Sequence, residues 1–189
     1  MINKIRLWWR FNGRYMHKDF AQGVKNLRKW FPTIWKDRDW DGYYIYELLR
    51  KKIEFQAEYI GGRDIYTEAK RDAERMRLVA RLIKLQQDEF YTMEYMDYHE
   101  QDVSFVSIED NPKYFDAVFD QKSEWFDEYF AKYPRQYKRV ANGEINRYRR
   151  EFADKDKQLI AMEIAHENQA RCQRLLFSIM HDHIERWWD

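Results

Sequence analysis

The sequence predicts an all-α protein: an elongated helical bundle with two long helices, about 65–99 and 155–188, and an aromatic helical insertion between them. Three observations carry that expectation. Apolar residues recur at three- and four-residue steps over stretches far longer than a strand. Six glycines and three prolines in 189 residues are too few for a β-sandwich or a loop-rich fold. A chain 35% charged and 18% aromatic suits helices with wet, ion-paired outer faces over a core of large rings, because disordered chains are poor in aromatics.

The elements follow in order. Residues 3–11 and 18–31 read as two short helices parted by Asn12 and Gly13. Pro32 suits a bend or the first turn of a helix, since it has no amide hydrogen. Asp39 or Asp41 is placed to cap a helix over 43–60, whose apolar positions are Ile45, Leu48, Leu49, Ile53, Ala57 and Ile60. Gly61 and Gly62 end it. Asp64 then caps a segment free of Gly and Pro for about 35 residues, about 50 Å of helix at 1.5 Å per residue. Its stripe is Ala69, Ala73, Met76, Ala80, Ile83, Phe90 and Met93, narrow enough for a bundle or coiled-coil seam.

Residues 101–111 are the weakest helical stretch and the one candidate for extended chain. Asn111 and Pro112 read as cap and first position of a helix carrying Phe115, Val118, Phe119, Trp125, Phe126, Tyr129 and Phe130 up to Pro134. A shorter helix near 135–150 is interrupted around Asn142 and Gly143. Asp154 caps the last helix, with the stripe Ala161, Ile164, Ala165, Cys172, Leu175, Leu176, Ile179, His183 and Trp187. The chain is expected to be one helical domain, with 1–100 and 151–189 as the frame and 101–150 as an insertion or cap. Two long helices with narrow seams usually pair antiparallel, or with copies of themselves.

Charge is segregated along the chain although the total is only +1. Residues 1–36 carry +8, 37–85 carry +1, 86–130 carry −11 and 131–189 carry +3. Such asymmetry either recruits a partner or is neutralised internally, basic segment on acidic segment. The single cysteine, Cys172, excludes an internal disulfide and reads as a small buried apolar residue. The first twenty residues lack the unbroken apolar run of a signal peptide, and no stretch approaches the roughly 20 apolar residues of a membrane span. A soluble cytosolic chain, without membrane contact, is expected.

Chemistry-bearing groups are few. Glu163 and His166 form Glu-x-x-His, half of a di-iron motif. No second copy exists, so an exposed ion-paired face is the better reading. His181 and His183 diverge by about 200° on a helix and cannot chelate one ion together. A phosphate-binding glycine loop is excluded, because only Gly61 and Gly62 are adjacent. No enzyme, metal or cofactor is expected.

Binding residues are better represented. In "WFPTIWKDRDWD", Trp35, Arg38 and Trp40 stand at a corner between helices. They either pin that corner, stack on a base with Arg38 on a phosphate, or anchor a protein partner together with Trp125 and Tyr129. Segment 132–150 interleaves tyrosines with Arg135, Lys138, Arg139, Arg147, Arg149 and Arg150, a pattern that suits a nucleic-acid strand, as does the basic segment 1–36.

The stretch "WFPTIWKDRDWD" and the ending "IERWWD" give this chain a resemblance to uncharacterised proteins encoded by bacteriophages. The likeness covers the first sixty residues, the long second helix and the last helix, but not 101–150. It implies a phage origin and an infected bacterial cytoplasm, and it brings no functional residue with it. Together these observations point to a non-enzymatic phage accessory protein that binds a host or phage protein, with countering of a bacterial defence as one such role. Nucleic-acid binding is the alternative, and a self-associating virion or assembly component is a third.

Overall fold

The computed structural model describes residues 2–13, 15–38, 40–63, 66–98, 100–107, 113–122, 126–145 and 157–187. The protein is mainly all-α. The described chain forms two compact units, residues 1–49 and 50–189.

The first unit holds α1 (Ile2–Trp8), which runs into a π-helical turn (Trp9–Gly13), then α2 (Met16–Ile34) and the beginning of α3 (Tyr43–Gly61). Pro32 does not start a helix. It sits in the last turn of α2, where its missing N–H forfeits one bond to the preceding turn and its fixed φ still suits a helix. Asp41 Oδ1 accepts the Tyr43 N–H at 2.8 Å, so the expected cap of α3 forms from Asp41. Asp39 lies outside the described residues, as do Asp64, Asn111, Pro112 and Asp154, to which caps or helix starts were also assigned.

The second unit is built on a seam between α4 (Ala69–Gln87) and α8 (Lys157–His183), the latter extended by a 3-10 turn (Ile184–Trp187). Three contacts fix their sense. Gln86 bonds Gln169, Leu82 O accepts from Cys172 Sγ, and Glu68, just before α4, pairs with Arg186. Descending one helix means ascending the other, so they are antiparallel. Ala73, Met76, Val79 and Ile83 from α4, and Ala161, Ile164, Ala165 and Leu176 from α8, are fully enclosed. Each large side chain among them contributes about 1.5–3 kcal/mol relative to exposure. The later half of α3 joins through Ile53, Ala57 and Ile60. Its end comes so close to α4 that a Cβ on Gly61 would lie 3.0 Å from that of Ala73.

Two expectations are corrected here. The predicted helix 65–99 is not continuous. α4 stops at Gln87, Glu89 adopts left-handed backbone (φ 49°, ψ 32°), and a single turn α5 (Phe90–Met93) passes into 3-10 geometry over Glu94–Tyr98. The break re-aims the chain. Phe90 and Met93 leave the seam for solvent, while Tyr95 and Tyr98 pack against Phe126, Tyr129, Phe130, Val140 and Ile160. Burial of those rings outweighs one unfavourable backbone conformation, which costs about 1–2 kcal/mol.

The predicted helix from Pro112 to Pro134 is also replaced. Strand β1 (Glu100–Ser107) pairs antiparallel with β2 (Phe115–Lys122), in register from Glu100 opposite Lys122 to Ser107 opposite Phe115. Among the described residues of that segment only α6 (Phe126–Lys132) is helical, followed by α7 (Pro134–Ala141), with Pro134 in its first turn. Gly143 supplies left-handed backbone (φ 73°) after α7, ending it where Asn142 and Gly143 were expected to interrupt.

Among the described residues no helix is long and apolar enough to cross a membrane.

Candidate binding surfaces

In the first unit α2 carries two opposed stripes. Met16, Phe20, Val24, Leu27, Phe31 and Ile34 follow three- and four-residue steps, so they share one side of the helix. Lys18, Lys25 and Lys29 fall on the other side. Such a division normally turns the apolar stripe into a core. Here it stays open: Phe20 is 75% exposed, Leu27 70%, and Phe31 and Ile34 are 57%. The stripe is also concave. Phe20, Val24, Leu27, Trp30 and Ile34, with Leu48 of α3, line a groove of about 660 Å³.

The corner between α2 and α3 does not pin its tryptophans. Trp35 and Trp40 are 72% and 84% exposed. Trp35 stacks on Phe31 at 5.3 Å between ring centroids, four residues back, and so lengthens the apolar stripe by a turn. Arg38 is exposed and donates to the Asp37 carbonyl at 3.3 Å.

The remaining partner anchors are placed differently. Trp125 lies outside the described residues. Tyr129 is corrected from surface anchor to core: it is fully buried between Tyr98 and Tyr133, at 5.2 Å from each ring. Burial, then the nearby Glu94 carboxylate, holds its hydroxyl well above the usual phenol range. The neighbouring Asn168 amide offsets part of this, although no hydrogen bond of normal geometry joins the two.

In the second unit α7 turns Gln136 and Val140 inward, and Tyr137 stacks on Phe130 at 4.7 Å. That anchorage leaves Arg135, Lys138 and Arg139 pointing away from the core, and all three line one cavity of about 710 Å³. Arg147, Arg149 and Arg150 lie outside the described residues. Arg171 and Arg174 of α8 complete the cationic wall. Sequence reasoning missed this pair because it attended to the apolar stripe of α8, and only the fold sets its solvent side against α7. Two acids share the cavity. Glu167 takes Arg174 at 2.8 Å and lies 3.9 Å from Arg139, while Glu144 lies 3.5 Å from Arg139. Arg135, Lys138 and Arg171 reach no carboxylate among the described residues.

The acidic segment is partly neutralised inside its own unit. Glu94, buried, accepts from the Lys132 ammonium and from the Tyr133 hydroxyl, and Asp127 meets Lys157 at 2.9 Å. Glu163 is not on an exposed ion-paired face as expected. It is 2% exposed, and neither carboxylate oxygen has a partner among the described residues. His183 is half-buried at the end of the seam. Among the described residues no three His, Cys, Asp or Glu side chains gather as a metal ion would require. Cys172 is buried, and burial raises its thiol above the usual range.

Neither a protein-family model, nor a curated protein, nor a solved structure matches the chain.

Proposed function

We propose that the protein is a non-enzymatic accessory protein that binds a host or phage protein through the apolar groove of its first unit. In keeping with the phage resemblance, it acts in an infected bacterium, where engaging a defence protein is the role that fits best. The observation that carries this reading is the open stripe of α2. Six large apolar side chains at helical spacing, continued by Trp35, form an exposed patch of the kind that marks an interaction site. Part of the patch is a shallow groove, which suits a ridge of protein side chains. Arg28 borders the stripe, and Lys18, Lys25 and Lys29 make the opposite side of α2 basic; their field favours an acidic partner, an amphipathic helix whose apolar ridge meets the groove.

The test places a photo-crosslinking amino acid at Leu27 in infected cells. A discrete adduct with another protein is expected, resistant to nuclease and moderate salt and abolished by Phe31→Glu. Adducts with a second copy alone, with lipid alone, or none at all would overturn the reading.

A second reading, nucleic-acid binding, is favoured by one observation: Arg135, Lys138 and Arg139 meet Arg171 and Arg174 in one cavity. It requires affinity for a single-stranded oligonucleotide that falls steeply with salt.

A further inference from the structure

The cationic cavity has a neighbour with which it shares a wall. A second cavity, of about 360 Å³, is lined by Leu82, Tyr91, Tyr133, Asn168 and Leu175, and it also has Gln136 and Arg171. Those last two residues line the cationic cavity as well. The two hollows therefore adjoin across Gln136 and Arg171, as two ends of opposite character.

One end is built for an anion. Five guanidinium or ammonium groups face two carboxylates, and both carboxylates are engaged by Arg139 or Arg174. Three cations are left without a described counter-charge in a concave place, where field lines concentrate and a multiply charged anion is held best. Lys138 and Arg139 in the last turn of α7 also complement that helix's negative end. That accounts for two of the five. Arg174 is held by Glu167, which leaves Arg135, in the first turn, and Arg171, in mid-helix, to be explained.

The other end is built for a flat polar ring. Asn168 is 6% exposed. Its Oδ1 accepts from Gln136 Nε2 at 3.2 Å, and its enclosed Nδ2 lies by the Tyr129 hydroxyl, so it is Gln136, with its carbonyl and second amide N–H, that can face a ligand. Such an amide offers the donor and acceptor combination that reads the edge of a nucleobase. Tyr91 gives a half-buried aromatic face beside it, and Leu82 and Leu175 give apolar walls. Burial keeps the Tyr91 phenol neutral, so this end carries no charge of its own beyond Arg171.

We infer that the two adjoining hollows form a nucleoside-phosphate site, with the phosphate among Arg135, Lys138, Arg171 and Arg174 and the base against Tyr91 and Gln136. Each hollow falls within the roughly 300–1,000 Å³ of small-molecule pockets. Arg171, present at both ends, bridges phosphate and base. The inference rests on the nucleic-acid reading and narrows it: one nucleotide unit is recognised, whether free or at the end of a strand, rather than a length of backbone along a basic stripe.

The test is calorimetric titration of the full chain at low salt with AMP, GMP, CMP and UMP, inorganic phosphate, and a twelve-nucleotide single strand. At least one mononucleotide should bind ten-fold or more tightly than inorganic phosphate and should compete with the strand. Arg171→Ala and Arg135→Ala, both at exposed positions and so harmless to folding, should each weaken that binding about ten-fold. Equal binding of phosphate and every mononucleotide would overturn the proposal, leaving an anion cavity alone. Strand binding that no mononucleotide competes with would also overturn it, while leaving the nucleic-acid reading intact. Binding of none of them would remove both.

Discussion

Tyr133 donates its hydroxyl proton to Glu94 Oε2 at 2.6 Å, tying the junction of α6 and α7 to the 3-10 turn that follows α5. Glu94 is 6% exposed, so the bond lies where water does not compete with it. Burial first, then this hydrogen bond, lifts the Tyr133 phenol far above its usual range. The consequence for pH has a definite sign. A folded chain that keeps its phenolic protons while the unfolded chain loses them is stabilised fully below the unfolded pKa, about 10. That stabilisation is lost as pH climbs past it. Tyr129, shifted the same way, adds to the effect. Chemical denaturation followed from pH 7 to 11 should show stability constant at first and falling above about pH 10. Glu94→Gln should make the alkaline fall shallower, because it removes the charge that opposes ionisation of Tyr133. At pH 7 the same change should cost about 1.5–3 kcal/mol, the scale of a buried hydrogen bond to a charged group. The Lys132 contact adds little, since that ammonium is 47% exposed.

The antiparallel seam sets a second expectation. Ile83 is fully buried in α4, and Ile164 is fully buried in α8. Truncating either to Ala leaves a cavity and should cost about 2–5 kcal/mol. Leu175, on the same helix as Ile164 but 50% exposed, should lose well under half as much. Urea midpoints of the three variants decide the matter. Equal losses would mean that Leu175 is covered in solution.

Backbone strain at Glu89 gives a third. Left-handed backbone at a residue with a Cβ costs about 1–2 kcal/mol, and glycine removes that cost while adding freedom to the unfolded chain. Glu89→Gly should therefore raise stability by about 0.5 kcal/mol, whereas Glu89→Val should lower it by more than 1 kcal/mol. A thermal melt of each variant is sufficient. Destabilisation by glycine would mean that α4 runs on through residue 89 in solution.

What could be read from the residues follows the range of the forces involved. The stripes of Ala73, Met76 and Ile83, and of Ala161, Ile164 and Leu176, were visible because helix periodicity is local. The Asp41 cap was visible for the same reason. The turn at Glu89 was not, since nothing in "LQQDEFYTMEY" disfavours a helix. The chain breaks there because Tyr95 and Tyr98 gain burial against Phe126 and Tyr129, more than thirty residues later. Strand β2 was hidden because Phe115, Val118 and Phe119 follow a helical step, and the adjacent Val118 and Phe119 break a strand's alternation. Its pairing with β1 is a long-range choice. The candidate sites divide along the same line. Arg135, Lys138 and Arg139 were found together because they are neighbours in sequence. Arg171 and Arg174 joined them only through the packing of α7 on α8. Tyr129 looked like a surface anchor by residue type and is core by position.

Cys172 offers a final measurement, one that reports on local opening of the seam. Its sulfur lies 3.7 Å from the Leu82 carbonyl, across from α8 to α4, and the residue is 5% exposed. Burial holds the thiol above its usual range, so at neutral pH the reactive thiolate is scarcer than in an open cysteine. Both factors slow attack on a disulfide reagent. Labelling of the native chain with a chromogenic aromatic disulfide at pH 7.5 should proceed at least a hundred-fold more slowly than in denaturant, by the product of thiolate fraction and exposure. Ile83→Ala, which loosens the same interface, should shorten the labelling time at an unchanged denaturant concentration. Rapid labelling of the native chain would show that α4 and α8 part readily, and the seam would then be a hinge rather than the fixed centre of the second unit.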